Sequence, residues 1–339
     1  MPDPRTFSLP ETVHGTATDR ALGRAMLDAW RRDGYFLLAL DARRASTVTN
    51  ALTASRSFFG LPAASKRMYV NDLTYSGYAA SGEEVTAGKV DHCEVFTVCR
   101  DFPLDHPRVL DRLPCHGPVP WPGRHYRRAV RTLMGDLGGL GDTVLALLAL
   151  GLGHAPAALT GHAADGWHHL RALRYPSTAR ESGNGLGVHT DYGMLVLTVQ
   201  DEAGGLYVRP PVEGEHRGRN WLPEESTAGV YEDRGPWHPV VPVPGTVTAF
   251  PGDILQFLTG GSLVSTPHQA KLTARERYSI AYFHEPSFDA ELRPLDGGEP
   301  LHYGTHFTNM FLRCYPDRPA TRRILREGLV PRPAAPLPA

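Results

Sequence analysis

The chain has 339 residues, with 35 basic against 36 acidic side chains for a formal net charge of −1, and it carries 35 glycines and 30 prolines. Balanced charge disfavours nucleic acid as a partner, because affinity for a phosphate backbone comes from clustered Lys and Arg. The length allows one large domain or two ordinary ones, either able to bury a true core without covalent staples.

The N-terminus, MPDPRTFSLPE, lacks a basic-then-apolar leader, and the longest apolar run, Val144 to Leu152, falls short of the ~20 residues a membrane span needs. A cytoplasmic protein with no membrane partner is the expectation. Cys93, Cys99, Cys115 and Cys314 form no CxxC pair and read as reduced thiols.

Leu22, Ala25, Met26, Ala29 and Trp30 recur at helical spacing after Asp19, and Asp33-Gly34 ends that run before a strand Tyr35-Phe36-Leu37-Leu38. A second helix is expected over 45–58, and a third, long and weakened by glycines, over about 124–150. From Leu170 the texture changes to short β runs broken by Gly and Pro, at 170–176, 194–200, 205–210, 237–243, 246–250, 253–259 and 277–284. Strands so spaced fit a sandwich or jelly-roll barrel, and no helices alternate with them as a doubly wound sheet requires. The polar segment 213–233 reads as a long insertion between strands, and the proline-rich end from Pro331 as a disordered tail.

Sixteen histidines are scattered along the chain, and spacing is what separates ligands from bystanders. In Gly187-Val188-His189-Thr190-Asp191-Tyr192, His189 and Asp191 would share one face of an extended strand, their Cα atoms about 6.6 Å apart. His268, in Ser265-Thr266-Pro267-His268, follows a strand-rich section that a barrel could fold back beside them. Two imidazoles and a carboxylate are the ligand set of non-haem Fe(II) oxygenases, so Fe(II) is the expected metal.

Three features support that reading. Arg277 heads a strand in which Ser279 shares its face, a pairing suited to a buried carboxylate. Arg171 shares its face with Leu173 and Tyr175, and a cation facing an apolar interior demands an anion, the bland alternative being an acidic loop residue. Pro251-Gly252-Asp253 reads as a tight turn between two apolar strands near the metal. The remaining histidines have bland defaults: His168 and His169 face opposite ways on a strand, and His284, His302 and His306 read as packing or supporting groups.

The pattern His189-x-Asp191, His268, Arg277-x-Ser279 resembles the 2-oxoglutarate/Fe(II)-dependent dioxygenases of the isopenicillin N synthase-like group. The blocks DLTYSGYAASGEEVTAGK (72–89), CHGPVPWP (115–122), DGWHH (165–169), GGLYVRPPVEGE (204–215), FPGDILQF (250–257), AYFHEP (281–286) and HYGTHFTNMFLRCYPDR (302–318) are similar to its ethylene-forming branch. The resemblance implies an α+β fold with a mainly β core, a double-stranded β-helix (jelly-roll) flanked by N-terminal helices. A single domain 1–320 would comprise helical support over about 15–165, a β-helix over about 166–290 and a substrate-site segment at 300–320, followed by a Pro/Ala-rich tail 328–339.

It further implies that His189, Asp191 and His268 hold iron, that Arg277 with Ser279 grips the distal carboxylate of 2-oxoglutarate, and that Arg171 reaches its metal-side carboxylate. L-arginine would be the second substrate, with its guanidinium at Glu84 beside Thr86, its carboxylate at Arg313 in the run Arg313-Cys314-Tyr315, and Tyr192 in contact. Outside the resemblance, Glu84 and Arg313 read as solvated surface charges. With O2, and with ascorbate keeping iron reduced in assays, the implied reactions are fragmentation of 2-oxoglutarate to ethylene and three CO2, and C5 hydroxylation of arginine with release of succinate, CO2, guanidine and pyrroline-5-carboxylate. A monomer is expected. Thr198 and Ser279 stand where ethylene formers generally carry small apolar residues, which favours hydroxylation over ethylene. The alternatives are a plain arginine hydroxylase with little ethylene, or a metal-holding sensor without catalysis.

Overall fold

The structure is a computed structural model that describes residues 4–178, 182–222 and 224–331, so 332–339 of the expected tail and Pro223 of the insertion lie outside the described residues. The N-terminal part runs β1 (Thr6–Phe7), α1 (Ala17–Asp33), β2 (Phe36–Ala39), α2 (Ala42–Phe59), α3 (Ala63–Lys66), β3 (Gly77–Ala79), β4 (Val85–Thr86), β5 (Lys89–Val90), β6 (Glu94–Val98), α4 (Pro107–Leu110), α5 (Arg124–Gly151) and α6 (Ala157–Thr160). The C-terminal part runs β7 (His169–Tyr175), β8 (Ser182–His189), β9 (Leu195–Gln200), β10 (Leu206–Val208), β11 (His238–Pro239), β12 (Thr246–Pro251), α7 (Asp253–Leu258), β13 (His268–Leu272) and β14 (Arg277–His284). Beyond them lie β15 (Glu291–Leu292), β16 (Leu301–His302), α8 (Tyr303–Cys314) and α9 (Pro319–Glu327).

The three long helices fall within a few residues of their sequence-based bounds, and α1 and α2 carry local side-chain caps. Thr16 and Asp19 form a reciprocal capping box at the start of α1, and Gly34, at φ 78°, ends it in the left-handed region. Asp41 caps α2 by accepting from the Arg44 amide at 2.7 Å. The glycines expected to weaken α5 include contact points. A Cβ on Gly151 would lie 2.6 Å from the Gly23 carbonyl carbon of α1, and one on Gly141 would lie 2.5 Å from the His284 ring; from the other side, a Cβ on Gly23 would lie 1.9 Å from the Leu147 carbonyl oxygen. Helix α5 is long and apolar enough by composition to cross a bilayer, but its leucine face is buried in the core.

The strand expected at 35–38 is β2, and the sheets add strands in the α-rich first half that the sequence did not signal. An eight-stranded sheet in the order β1-β2-β12-β9-β14-β7-β6-β3 recruits four strands from it, and a four-stranded sheet runs β11-β10-β13-β8. Alternate residues of both sheets face one inner cavity: Arg171, Leu173 and Tyr175 of β7, Thr198 of β9, His268 and Ala270 of β13, and Arg277 and Ser279 of β14. Two sheets closed around a common interior make the expected double-stranded β-helix.

One strand expectation fails. Residues 253–258 of the run 253–259 form helix α7, so Pro251-Gly252-Asp253 joins a strand to a helix rather than two strands. All six residues of α7 are buried, Asp253 and Gln256 included, and so short a buried run carries no exposed face whose period could tell helix from strand.

Candidate active site

His189 ends β8 and His268 begins β13, and the two are direct register partners. Strand β8 stops at His189, so Asp191 lies just past it rather than on an extended strand as the spacing suggested. The turn there is held from behind. The Asp253 and Ile254 amides of α7 donate to the Asp191 and Gly193 carbonyls at 2.8 and 2.9 Å, while the Thr190 hydroxyl points away to the Asp253 carboxylate at 3.1 Å. The ligand atoms of His189, Asp191 and His268 all lie within 4.8 Å of one another.

The donor set fits a divalent metal. His189 Nδ1 lies 2.7 Å from the Gly187 carbonyl and His268 Nδ1 lies 3.0 Å from that of Thr266, so each Nδ1–H has an acceptor and each Nε2 lone pair is free to coordinate. The Nε2 atoms lie 3.6 and 3.3 Å from the Asp191 carboxylate. Burial raises the Asp191 pKa, but the neighbouring imidazoles outweigh it and hold the group below its usual value. Burial also pushes His268 down to about 4, which leaves it neutral and able to coordinate at neutral pH.

Two chambers share this centre, and Arg171, His189, Asp191 and Phe283 line both. In the inner one, Arg277 is 1% exposed, its guanidinium carbon lies 4.3 Å from the Tyr175 ring centroid, and its Nε and Nη1 have no hydrogen-bond partner. Burial pulls its pKa below the usual arginine value. Orphaned donors on a desolvated guanidinium demand a carboxylate, and Ser279 on the same strand face lines the same chamber.

The outer chamber is lined by Glu84, Thr86, Tyr192, Arg313 and Cys314, all singled out in the sequence. Glu84 is buried, which overturns its reading as a solvated charge, whereas Arg313 is exposed and donates to the Glu225 carbonyl. Thr86 donates to Asp91 at 2.7 Å. Arg171 donates to both the Glu84 carboxylate and the Tyr315 hydroxyl, so two residues assigned to different ligands are partners in the structure. Arg174, on the opposite face of β7, pairs with Glu94 and Glu276.

Sequence reasoning missed three buried groups around these chambers. Asp91 accepts from the Gly187 amide at 2.8 Å, and burial raises it to about 6. His169 lines the outer chamber and stacks on Phe283 at 4.3 Å. Glu285 is fully buried, accepts from Tyr303 at 2.7 Å, and is raised to about 8 by desolvation. His169 stands two residues before Arg171, so the two-residue strand period could have found it. His302 instead caps α8, accepting from the Thr305 amide at 3.1 Å.

The known proteins agree with this geometry. Residues 167–286 match the family model of the 2OG-Fe(II) oxygenase superfamily, and residues 7–124 match that of the non-haem dioxygenase in morphine synthesis N-terminal region. The chain is 54% identical over 335 residues, 97% of each protein, to the 2-oxoglutarate-dependent ethylene/succinate-forming enzyme of Ralstonia nicotianae. It is 28% identical to a homoarginine-6-hydroxylase of Arabidopsis thaliana over 85% of this chain and 80% of that one. A solved 2OG-Fe(II) oxygenase family protein from Caulobacter crescentus superposes with a TM-score of 0.72 at 23% identity, covering 92% of this chain and 99% of that one. The dioxygenase for auxin oxidation from Arabidopsis thaliana, solved with 2-oxoglutarate, superposes with a TM-score of 0.62 at 21% identity, covering 86% and 96%.

Proposed function

Since the chain belongs to the 2-oxoglutarate/Fe(II) oxygenases and, within them, to the ethylene/succinate-forming enzymes, we propose that it fragments 2-oxoglutarate to ethylene and three CO2 in the presence of L-arginine. In a parallel branch it hydroxylates arginine at C5 while 2-oxoglutarate yields succinate and CO2. The observation that carries this reading is the pair of chambers around one metal centre: the inner holds a buried guanidinium with unpaired donors, and the outer presents both Glu84 and Arg313.

His189, Asp191 and His268 would hold iron, which when bound supplies the site for O2 and for oxidative decarboxylation of the keto acid. The other residues position and desolvate. Arg277 with Ser279 would hold the distal carboxylate of 2-oxoglutarate, and Leu173, Val196, Phe250 and Phe283 line the inner chamber with apolar surface that keeps water out. In the outer chamber, Glu84 beside Thr86 would take the substrate guanidinium and Arg313 its carboxylate. Tyr192, adjacent to Asp191, would link substrate arrival to the metal turn, with Cys314 in the wall and the Tyr315 hydroxyl accepting from Arg171.

On the hydroxylation branch the C5 product carries a hydroxyl and a guanidino nitrogen on one carbon. Its collapse moves the hydroxyl proton to the departing guanidine, and the remaining aldehyde cyclises with loss of water to pyrroline-5-carboxylate. The specific observation favouring a larger share of this branch, up to a plain arginine hydroxylase, is that the Thr198 and Ser279 hydroxyls face the inner chamber. Incubation with Fe(II), ascorbate, 2-oxoglutarate and L-arginine under air, with ethylene, succinate and guanidine measured together, tests both readings. Absence of oxygen uptake stimulated by 2-oxoglutarate and L-arginine together, with iron present, would overturn both.

A further inference from the structure

Arg171 stands where two assignments compete. It sits mid-strand on β7, between register partners Ala281 and Thr97, and its side chain lines both chambers. Its Nη2 donates to Glu84 and Tyr315, while its Nε is buried without a partner. Glu84 is one carboxylate facing two claimants, Arg171 and the guanidinium of the arginine substrate. A buried guanidinium that loses its carboxylate must find another anion.

We propose that Arg171 is an exchangeable positioning residue that couples the two chambers. When a guanidinium substrate takes Glu84, Arg171 is released to the metal-side carboxylate of 2-oxoglutarate, so each ligand tightens the other. The proposal rests on the assignment of arginine as substrate and adds the coupling between the sites.

The surroundings permit this exchange without remodelling. Arg171 is held by a strand paired on both sides, so only its side chain need turn. The hairpin β4–β5 that follows Glu84 is fastened elsewhere: Asp91 accepts from the Gly187 amide at 2.8 Å, Lys89 reaches Glu232 at 2.7 Å, and the Asp91 amide donates to the Glu84 carbonyl at 3.0 Å. The Glu84 carboxylate can change partner while its backbone stays in place.

The test is equilibrium titration of the Fe(II)-loaded protein under nitrogen, where no turnover occurs, using 2-oxoglutarate and L-arginine separately and together. In the wild type, saturating L-arginine should tighten 2-oxoglutarate at least about fivefold, and the reverse by the same factor. The diagnostic result is a gain: Glu84→Ala should bind 2-oxoglutarate more tightly than wild type without arginine, with no further effect of arginine, and Arg171→Ala should bind L-arginine more tightly. A merely structural role predicts losses in both. Glu84→Gln serves if the alanine variant does not fold. The exchange is overturned if the Glu84 variants bind 2-oxoglutarate no better than wild type, or if arginine binds the wild type and leaves 2-oxoglutarate affinity unmoved. Failure of the wild type to bind arginine would sink the substrate assignment alone, since the Glu84 arm with 2-oxoglutarate still decides the exchange.

Discussion

His189 and His268, 79 positions apart in the sequence, are direct register partners on antiparallel strands β8 and β13, with ring centroids 4.2 Å apart. The metal centre is therefore set by a hydrogen-bond register inside the barrel wall, with Asp191 brought in by a turn anchored on α7.

Replacing any of the three ligands should abolish iron retention without unfolding the chain. Asp191→Asn and His268→Ala should each lower Fe(II) affinity at least about 100-fold, beyond the effect of losing a supporting hydrogen bond. Metal titration and circular dichroism on the same samples would check this, and a variant that keeps stoichiometric iron would remove that residue from the ligand set.

Arg277 should have opposite effects on binding and stability. Arg277→Met should lose about 3–5 kcal/mol of 2-oxoglutarate binding, or about two to nearly four decades in affinity, because it would delete the proposed partner of a desolvated carboxylate. The same variant should melt no lower than wild type in the absence of 2-oxoglutarate, since two guanidinium nitrogens are buried without partners. Titration and thermal melting test the two halves, and a midpoint several degrees lower would refute the second.

Thr198 and Ser279 bring two hydroxyls into the inner chamber. Thr198→Ala and Ser279→Ala should raise the ratio of ethylene to succinate by making the inner chamber less polar. Headspace gas chromatography with succinate and guanidine assays measures the partition, and an unchanged ratio in both variants would exclude the hydroxyls as its determinants.

Glu285 predicts a pH dependence of stability. Burial raises it from 4.5 to about 8, and Tyr303, Asp191 and Asp253 also bear on it. The folded state then holds a proton that the unfolded state releases, so the contribution is fully present below about pH 4.5 and is lost as pH rises through about 8. Relative to Glu285→Gln, metal-free wild type should lose on the order of 1 kcal/mol per pH unit over that window and then level off. Denaturant melts of both proteins from pH 5 to 9 test the sign; parallel curves would place the carboxylate in its ionised form throughout.

The contact between α1 and α5 leaves no room for a side chain. A Cβ at Gly23 would lie 1.9 Å from the Leu147 carbonyl oxygen, a backbone atom that cannot turn aside. Gly23→Ala should therefore destabilise by about 1–3 kcal/mol or more, although alanine is the better helix former. A melting temperature equal to wild type would show that the helices shift freely.

Local signals carry well into the structure. The helical period with Asp19 and Asp33-Gly34 places α1, and the two-residue strand period puts Arg277 with Ser279 and Arg171 with Leu173 on shared faces. The segment 253–258 reads wrongly as a strand because an all-buried run has neither period. Strands β3 and β6 in the first half escape sequence reading because short strands show themselves only once a neighbour pairs with them.

The sequence by itself determined which side chains could act together within one element, since side-chain direction there follows from backbone geometry alone. Only the tertiary structure decided the pairs that cross the chain. Register set His189 against His268, and closure of the barrel placed Arg171 beside Glu84, 87 positions away. Glu84 reads as a solvated charge because exposure is a property of what packs over a residue, and a buried guanidinium selects its carboxylate by proximity after folding. The functional chemistry of this protein is therefore written locally in its strands but completed by long-range burial.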